Sequence, residues 1–116
     1  MKTDPTNDPA AFAWHITGQV HDDWLDLDEI EFDKPMGELR IALRTRASGP
    51  PEKILSILTV KEVVIKDTER VGWYDINTVR IDLMHNCIEI RCGVPLAIDV
   101  FVGDPFKMFV LPFTDR

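Results

Sequence analysis

Carboxylates crowd the start of the chain, with seven of them in the segment HDDWLDLDEIEFD, residues 21–33. Several carboxylate oxygens close together are what a divalent cation requires. However, no glycine stands where a calcium-binding loop needs one, and in a strand the acids would alternate between two faces. We therefore predict no metal site here. The segment is better interpreted as a solvated, charged strand edge or as a surface for a charged partner.

Other groups that could bind zinc or act as nucleophiles are few and poorly spaced. The three histidines and two cysteines form no CxxC or HxxxH pair, which zinc sites usually contain. Neither serine lies in a G-x-S-x-G elbow, and the glycines are too isolated for a phosphate-binding loop. The sequence therefore predicts no catalytic residue, no cofactor and no metal. Two cysteines are too few for a disulfide scaffold, so we expect both to be free thiols.

An aromatic pair, Trp73 and Tyr74, stands in the polar segment DTERVGWYDIN, residues 67–77. Adjacent residues of an extended segment point to opposite sides, so both cannot enter one core. Exposed aromatic side chains on loops are typical of binding surfaces. Alternatively, Trp73 closes the end of the domain and Tyr74 forms a hydrogen bond at its rim. The candidate interaction surface therefore consists of Asp23, Asp26, Asp28, Glu31, Trp73 and Tyr74.

The net charge of the chain comes entirely from its first quarter. Residues 1–33 carry a net charge of −8 and residues 34–116 a net charge of +1, which gives −7 in total. Binding to nucleic acid or to an anionic membrane needs clustered cations, and this chain has no such cluster. A basic protein partner would instead be attracted, and long-range attraction would raise its association rate. Self-association is the other interaction that we consider.

Apolar residues alternate with polar ones along most of the chain, which predicts strands. The predicted strands cover residues 12–20, 24–32, 38–45, 54–67, 79–83, 88–90, 96–102 and 106–113. Over 12–20 a helix beginning at Asp8 and Pro9 is the competing interpretation. Over 24–32 the apolar residues change from odd positions (Leu25, Leu27) to even positions (Ile30, Phe32). This change indicates either a β-bulge near Asp28 and Glu29 or a helix. We predict that residues 24–32 form a hairpin with residues 38–45. Residues 54–67 form either one long bulged strand or two short ones.

The fold class that follows is all-β: a single-domain antiparallel β-sandwich or partly open barrel of about seven to eight short strands, with little or no helix. Residues 1–11 form a frayed lead-in and residues 12–116 the β domain. In the hairpin around residues 85–86, we expect Leu83 to face Ile88 and Ile81 to face Ile90. Pro112 predicts an edge position for the last strand. The predicted core is Leu39, Ile41, Leu43, Ile81, Leu83, Ile88, Ile90, Ile98 and Val100.

The segment HDDWLDLDEI, residues 21–30, resembles the start of small β domains found among bacterial toxin-immunity proteins, over about a tenth of the chain. That resemblance implies an inhibitor-like protein. The sequence contains no secretory signal and no apolar run that could span a membrane, so we expect a cytoplasmic protein. We predict a non-enzymatic interaction module. The alternative is a small-molecule-binding β-barrel, or a small enzyme with its site in a cleft.

Overall fold

The computed structural model describes residues 7–93 and 95–113. The described chain forms one α-helix, one short 3-10 helix and seven strands. The predicted lead-in over 1–11 is covered only in part, because residues 1–6 lie outside the described residues. The elements in chain order are α1 (Pro9–Val20), β1 (Trp24–Asp26), the 3-10 helix (Leu27–Glu29), β2 (Ile30–Asp33), β3 (Glu38–Leu43), β4 (Lys53–Asp67), β5 (Trp73–Asp82), β6 (Cys87–Cys92) and β7 (Leu96–Pro112).

The first element is a helix, so the strand predicted over 12–20 is wrong. Asp8 caps the helix by accepting a hydrogen bond from the backbone N–H of Ala11 at 3.1 Å, and Pro9 suits its first turn. Ala13, Ile16 and Val20 are buried, at the three- and four-residue spacing of one helical face. The spacing of the apolar residues fits both a strand and a helix. The capping residues Asp8 and Pro9 are what favour the helix.

Residues 24–32 contain neither a simple β-bulge nor a long helix. β1 ends at Asp26, a single 3-10 turn follows, and β2 begins at Ile30. The Asp26 carboxylate accepts a hydrogen bond from the backbone N–H of Asp28 at 2.9 Å, which caps this turn. The predicted hairpin is confirmed for β2 and β3, in which Phe32 pairs with Leu39. β1, however, pairs elsewhere.

The seven described strands form one antiparallel sheet in the order β1-β5-β6-β7-β4-β3-β2. The sheet curls until its first strand meets β3 near its end. There Trp24 and Arg44 exchange backbone hydrogen bonds, with N···O distances of 2.7 and 3.0 Å. The result is a nearly closed barrel, as the predicted all-β class allows. α1 packs mainly against β5.

β7 joins two strands that the sequence analysis predicted separately, over 96–102 and 106–113, whereas β4 matches the strand predicted over 54–67 to within one residue. β4 has 15 residues and β7 has 17, and they pair along most of their length. Irregular pairing around Thr59 and Lys61 shows that residues 54–67 form one long bulged strand. Thr59 has φ of +66°, and a Cβ on the facing Gly103 would lie 2.9 Å from the Thr59 methyl group. A side chain at position 103 would therefore force Thr59 to move where the two strands approach each other.

The β5–β6 hairpin has a different register from the one predicted. Asp82 pairs with Cys87, Ile81 with Ile88, and Val79 with Ile90, so the turn consists of residues 83–86. Leu83 lies in this turn and is 37% exposed, so its predicted place in the core is wrong. Asp82 stabilises the turn by accepting a hydrogen bond from the backbone N–H of His85, and Asn86 adopts φ of +49°. β5 also starts earlier than predicted, at Trp73.

Aliphatic side chains fill the barrel. Of the predicted core, all but Ile81 and Leu83 are buried, and Ile81 packs against the core from its margin. Tyr74, Leu25 and Ile57 are fully buried members that the prediction did not include. The interior therefore consists mainly of packed apolar side chains. No helix among residues 7–93 and 95–113 has the length and apolar character needed to cross a membrane.

Candidate functional site

The β1–β5 pairing brings together two parts of the predicted interaction surface. Asp26 lies directly opposite Trp73, Leu25 opposite Tyr74, and Trp24 opposite Asp75. Side chains alternate between the two faces of a strand, and Leu25 and Tyr74 point into the core. Trp24, Asp26, Trp73 and Asp75 therefore share the outer face, where two tryptophans alternate diagonally with two aspartates.

We refer to these four residues together with Asp28 as the acidic–aromatic face. Trp73 is 49% exposed, Asp28 is exposed, and Trp24, Asp26 and Asp75 are half-buried. Asp26, Asp28 and Asp75 form no salt bridge with any residue that the structure describes. The face therefore combines carboxylates without a described counter-ion with indole rings, whose negative π-faces also attract cations.

Tyr74 does not belong to the exposed surface, contrary to the sequence prediction. Its side chain is fully buried, and its hydroxyl donates a hydrogen bond to the Asp67 carboxylate. The same hydroxyl accepts from the backbone N–H of Val71 at 3.1 Å and of Gly72 at 3.4 Å. Burial, reinforced by the Asp67 carboxylate, raises the pKa of this phenol. Tyr74 thus holds the loop before β5 in place and positions Trp73 beside it.

Asp23 is also removed from the predicted surface. It is 6% exposed, and its carboxylate lies 2.8 Å from the ammonium group of Lys53. Because this carboxylate is buried and already paired with Lys53, it is not available to a partner at the surface. Asp23 is therefore a structural residue that ties the start of β1 to β4.

Glu31 is exposed, as predicted, but it does not belong to the β1–β5 pair. It lies on β2, opposite Arg40 of β3. Arg40 makes a 3.7 Å contact with Glu38 on its own strand. Of the six predicted surface residues, the structure thus brings together Asp26, Asp28 and Trp73.

The cysteines do not form a reactive site. Both are thiols, and burial, together with the nearby Asp75 carboxylate, raises the pKa of Cys92 to about 12. Burial also raises the pKa of Cys87. A thiol is nucleophilic as the thiolate, so neither cysteine is activated. Within the described ranges, no three His, Cys, Asp or Glu residues converge as metal ligands would.

Sequence reasoning missed Trp24 and Asp75 as members of the face. The sequence did carry a usable signal. Trp24 and Asp26 are two residues apart and therefore share one face of a strand, as do Trp73 and Asp75. What the sequence did not reveal is that these two distant segments pair with each other. Comparisons with protein-family models, curated proteins and solved structures find no significant match to this chain.

Proposed function

We propose that the chain is a non-enzymatic interaction module, of the inhibitor or immunity-like kind, whose acidic–aromatic face binds a basic protein partner. The observation that carries this proposal is the position of Asp26 directly opposite Trp73, with Asp75 opposite Trp24. A Lys or Arg side chain placed there would meet carboxylates and indole faces at the same time. We place this activity in the cytoplasm, where two thiols remain reduced.

The chemistry favours an arginine-bearing partner. A guanidinium group stacks on an aromatic face and donates hydrogen bonds in its own plane, so it can satisfy both components of the face. Tryptophan and arginine are also the residues that most often dominate the binding energy of an interface. The net charge of −7 would steer such a partner from a distance, and added salt would slow its association.

An arginine-rich peptide tests this proposal, with a peptide that carries citrulline in place of arginine as the uncharged control. The indole N–H resonances of Trp24 and Trp73 should shift on titration with the arginine peptide and stay in place with the citrulline peptide. Higher salt should weaken the effect. Equal shifts with both peptides would overturn the proposal, because they would show that charge is not recognised.

A pair of double variants locates the contact. Replacing Asp26 and Asp75 by Asn removes two charges from the face, whereas replacing Glu62 by Gln and Asp104 by Asn removes two exposed charges elsewhere. We expect the first variant to lose most of the peptide affinity and the second to lose only the small share due to net charge. Equal losses would assign the binding to overall charge and not to the acidic–aromatic face.

A further inference from the structure

A cleft of about 520 Å³ lies outside the barrel, between α1 and β5. Its volume falls within the range of small-molecule sites. It is separate from the filled barrel interior and shares no residue with the acidic–aromatic face. Its lining is mixed, with one aromatic ring and several hydrogen-bonding groups: Trp14, Thr17, Gly18, His21, Asn77 and Thr78.

α1 and its C-cap residue supply most of the lining. Trp14 and Gly18 are four residues apart, which places them on one side of α1, and His21 follows directly after the helix as its C-cap residue. Trp14 is 80% exposed, so its indole contributes little to the core. Its ring therefore leaves a large aromatic surface available at the mouth of the cleft.

Gly18 stands inside the helix, where glycine is unfavourable relative to alanine. Packing does not require it, because no atom lies within 4 Å of the position that a Cβ would occupy. Its φ is not in the left-handed region either, since only Gly37 and Gly72 among the described glycines are. The consequence of glycine at this position is an open floor between Trp14 and His21.

The opposite wall is an irregularity of β5. Ile76 pairs with Cys92 and Thr78 with Arg91, so Asn77 is an extra residue without a partner on β6. Bulges of this kind often redirect side chains at binding sites. The two walls are held together by Thr17, whose hydroxyl donates to the Val79 carbonyl at 3.1 Å and accepts from the Val79 N–H at 3.0 Å.

We propose that this cleft binds one flat heteroaromatic ring, neutral or cationic and of nucleobase size. The exposed Trp14 would stack on the ring face, and the Asn77 amide and the His21 imidazole would offer donors and acceptors to its edge. Three departures from local stability converge here: an exposed tryptophan, an unforced helical glycine and an unpaired bulge residue. Such convergence is typical of functional sites.

The charge of the cleft disfavours anionic ligands. No Lys or Arg is among its lining residues, and His21 lies 3.2 Å from the Asp22 carboxylate. A phosphate attached to the ring would meet this carboxylate with no cation to neutralise it. The preferred class is therefore a free base or a nucleoside, and not a nucleotide.

Titration of the labelled protein with adenosine tests the proposal, with ribose as the control that lacks the ring and adenosine monophosphate as the control that adds charge. We expect saturable shifts of the Trp14 indole N–H and the Asn77 side-chain amide with adenosine. Ribose should produce none, and the monophosphate should bind several-fold more weakly. Absence of saturable shifts with adenosine, cytidine and guanosine up to about 10 mM would overturn the proposal.

Two substitutions of Gly18 separate cleft filling from helix stability. Gly18→Ala and Gly18→Leu both favour the helix, but only leucine reaches far enough to occupy the cleft. We expect Gly18→Ala, whose methyl group narrows the floor of the cleft, to weaken adenosine binding in part, and Gly18→Leu to lose binding while its melting temperature stays equal or rises. Trp14→Ala should weaken binding about tenfold or more. Unchanged binding by the folded Gly18→Leu protein would contradict the proposal.

Discussion

The Lys53 ammonium lies 2.8 Å from the Asp23 carboxylate, at the junction of three separate parts of the chain. The same ammonium donates a hydrogen bond to the backbone carbonyl of Gln19 at 2.9 Å. Gln19 belongs to the last turn of α1, Asp23 precedes β1, and Lys53 is the first residue of β4. A single cation thus joins the helix to both sides of the barrel.

Replacing Lys53 with Met should destabilise the protein by about 1–3 kcal/mol, since the buried carboxylate of Asp23 loses its partner. The loss is smaller than for a wholly buried pair, because the Lys53 side chain is 34% exposed. Lys61→Met, in the exposed part of the same strand, is the matched control. Urea denaturation measures both, and an equal effect of the two substitutions would show that the Asp23–Lys53 pair contributes nothing specific.

Tyr74 should ionise above the ordinary tyrosine value of about 10, because burial and the neighbouring Asp67 carboxylate raise its pKa. The folded state then keeps a proton that the unfolded chain releases. This contribution to stability is complete below pH of about 10 and is lost as the pH rises through the raised pKa. Tyr74 is the only tyrosine of the chain, so alkaline titration of the phenolate absorbance reports it directly.

The Tyr74→Phe variant supplies the control for this pH dependence. It removes the titrating group, so its stability should fall less steeply than that of the unmodified protein at alkaline pH. Below pH 10 it should be less stable, because Asp67 and the N–H groups of Val71 and Gly72 lose their hydroxyl partner. A native titration midpoint near the ordinary tyrosine value would refute the buried hydrogen-bonded geometry.

Two leucine-sized residues of the β5–β6 hairpin should lose very different amounts of stability on truncation. Ile88 is fully buried, whereas Leu83 is 37% exposed in the turn. Ile88→Ala should therefore cost about 2–5 kcal/mol through lost burial and cavity formation. Leu83→Ala should cost less than about 1 kcal/mol. Chemical denaturation of both variants distinguishes the observed register from the alternative in which Leu83 faces Ile88, since that register would make both substitutions costly.

Local alternation predicted the strands well wherever one face is buried. Leu39, Ile41 and Leu43 follow a strict period of two and are fully buried. The Ile81–Ile88 register could not be obtained in this way, since two turn lengths keep the same residues on the core face. The observed turn contains a hydrogen bond from the backbone N–H of His85 to Asp82, and such contacts depend on geometry and not on hydrophobic pattern.

The candidate site was predictable only in its parts. Asp26, Asp28 and Trp73 were singled out by charge and by aromatic character, yet their juxtaposition depends on β1 pairing with β5, and β2, β3 and β4 lie between these two strands in the sequence. Asp23 has the same residue type as Asp26 and lies in the same acidic segment. Burial next to Lys53 separates the roles of the two aspartates, and burial is a property of the assembled barrel.

Edge protection gives the last prediction. β2 is an end strand of the sheet, and its outward residues Glu31 and Asp33 are both exposed. Charges on an edge strand oppose pairing with a second copy. We expect the double variant Glu31→Gln, Asp33→Asn to self-associate, as measured by light scattering after gel filtration, while it loses only the small share of its affinity for the arginine peptide that is due to net charge.

The Glu62→Gln, Asp104→Asn variant is the control for edge protection, since it makes the same change in net charge away from β2. If both variants associate, the loss of overall charge repulsion is the cause and edge protection is refuted. If neither associates, the charges of β2 do not guard the edge. Asp23 is left unchanged in this design, because its pairing with Lys53 would make any substitution there a test of folding. Association of the β2 variant alone is therefore the outcome that assigns these two acids to edge protection.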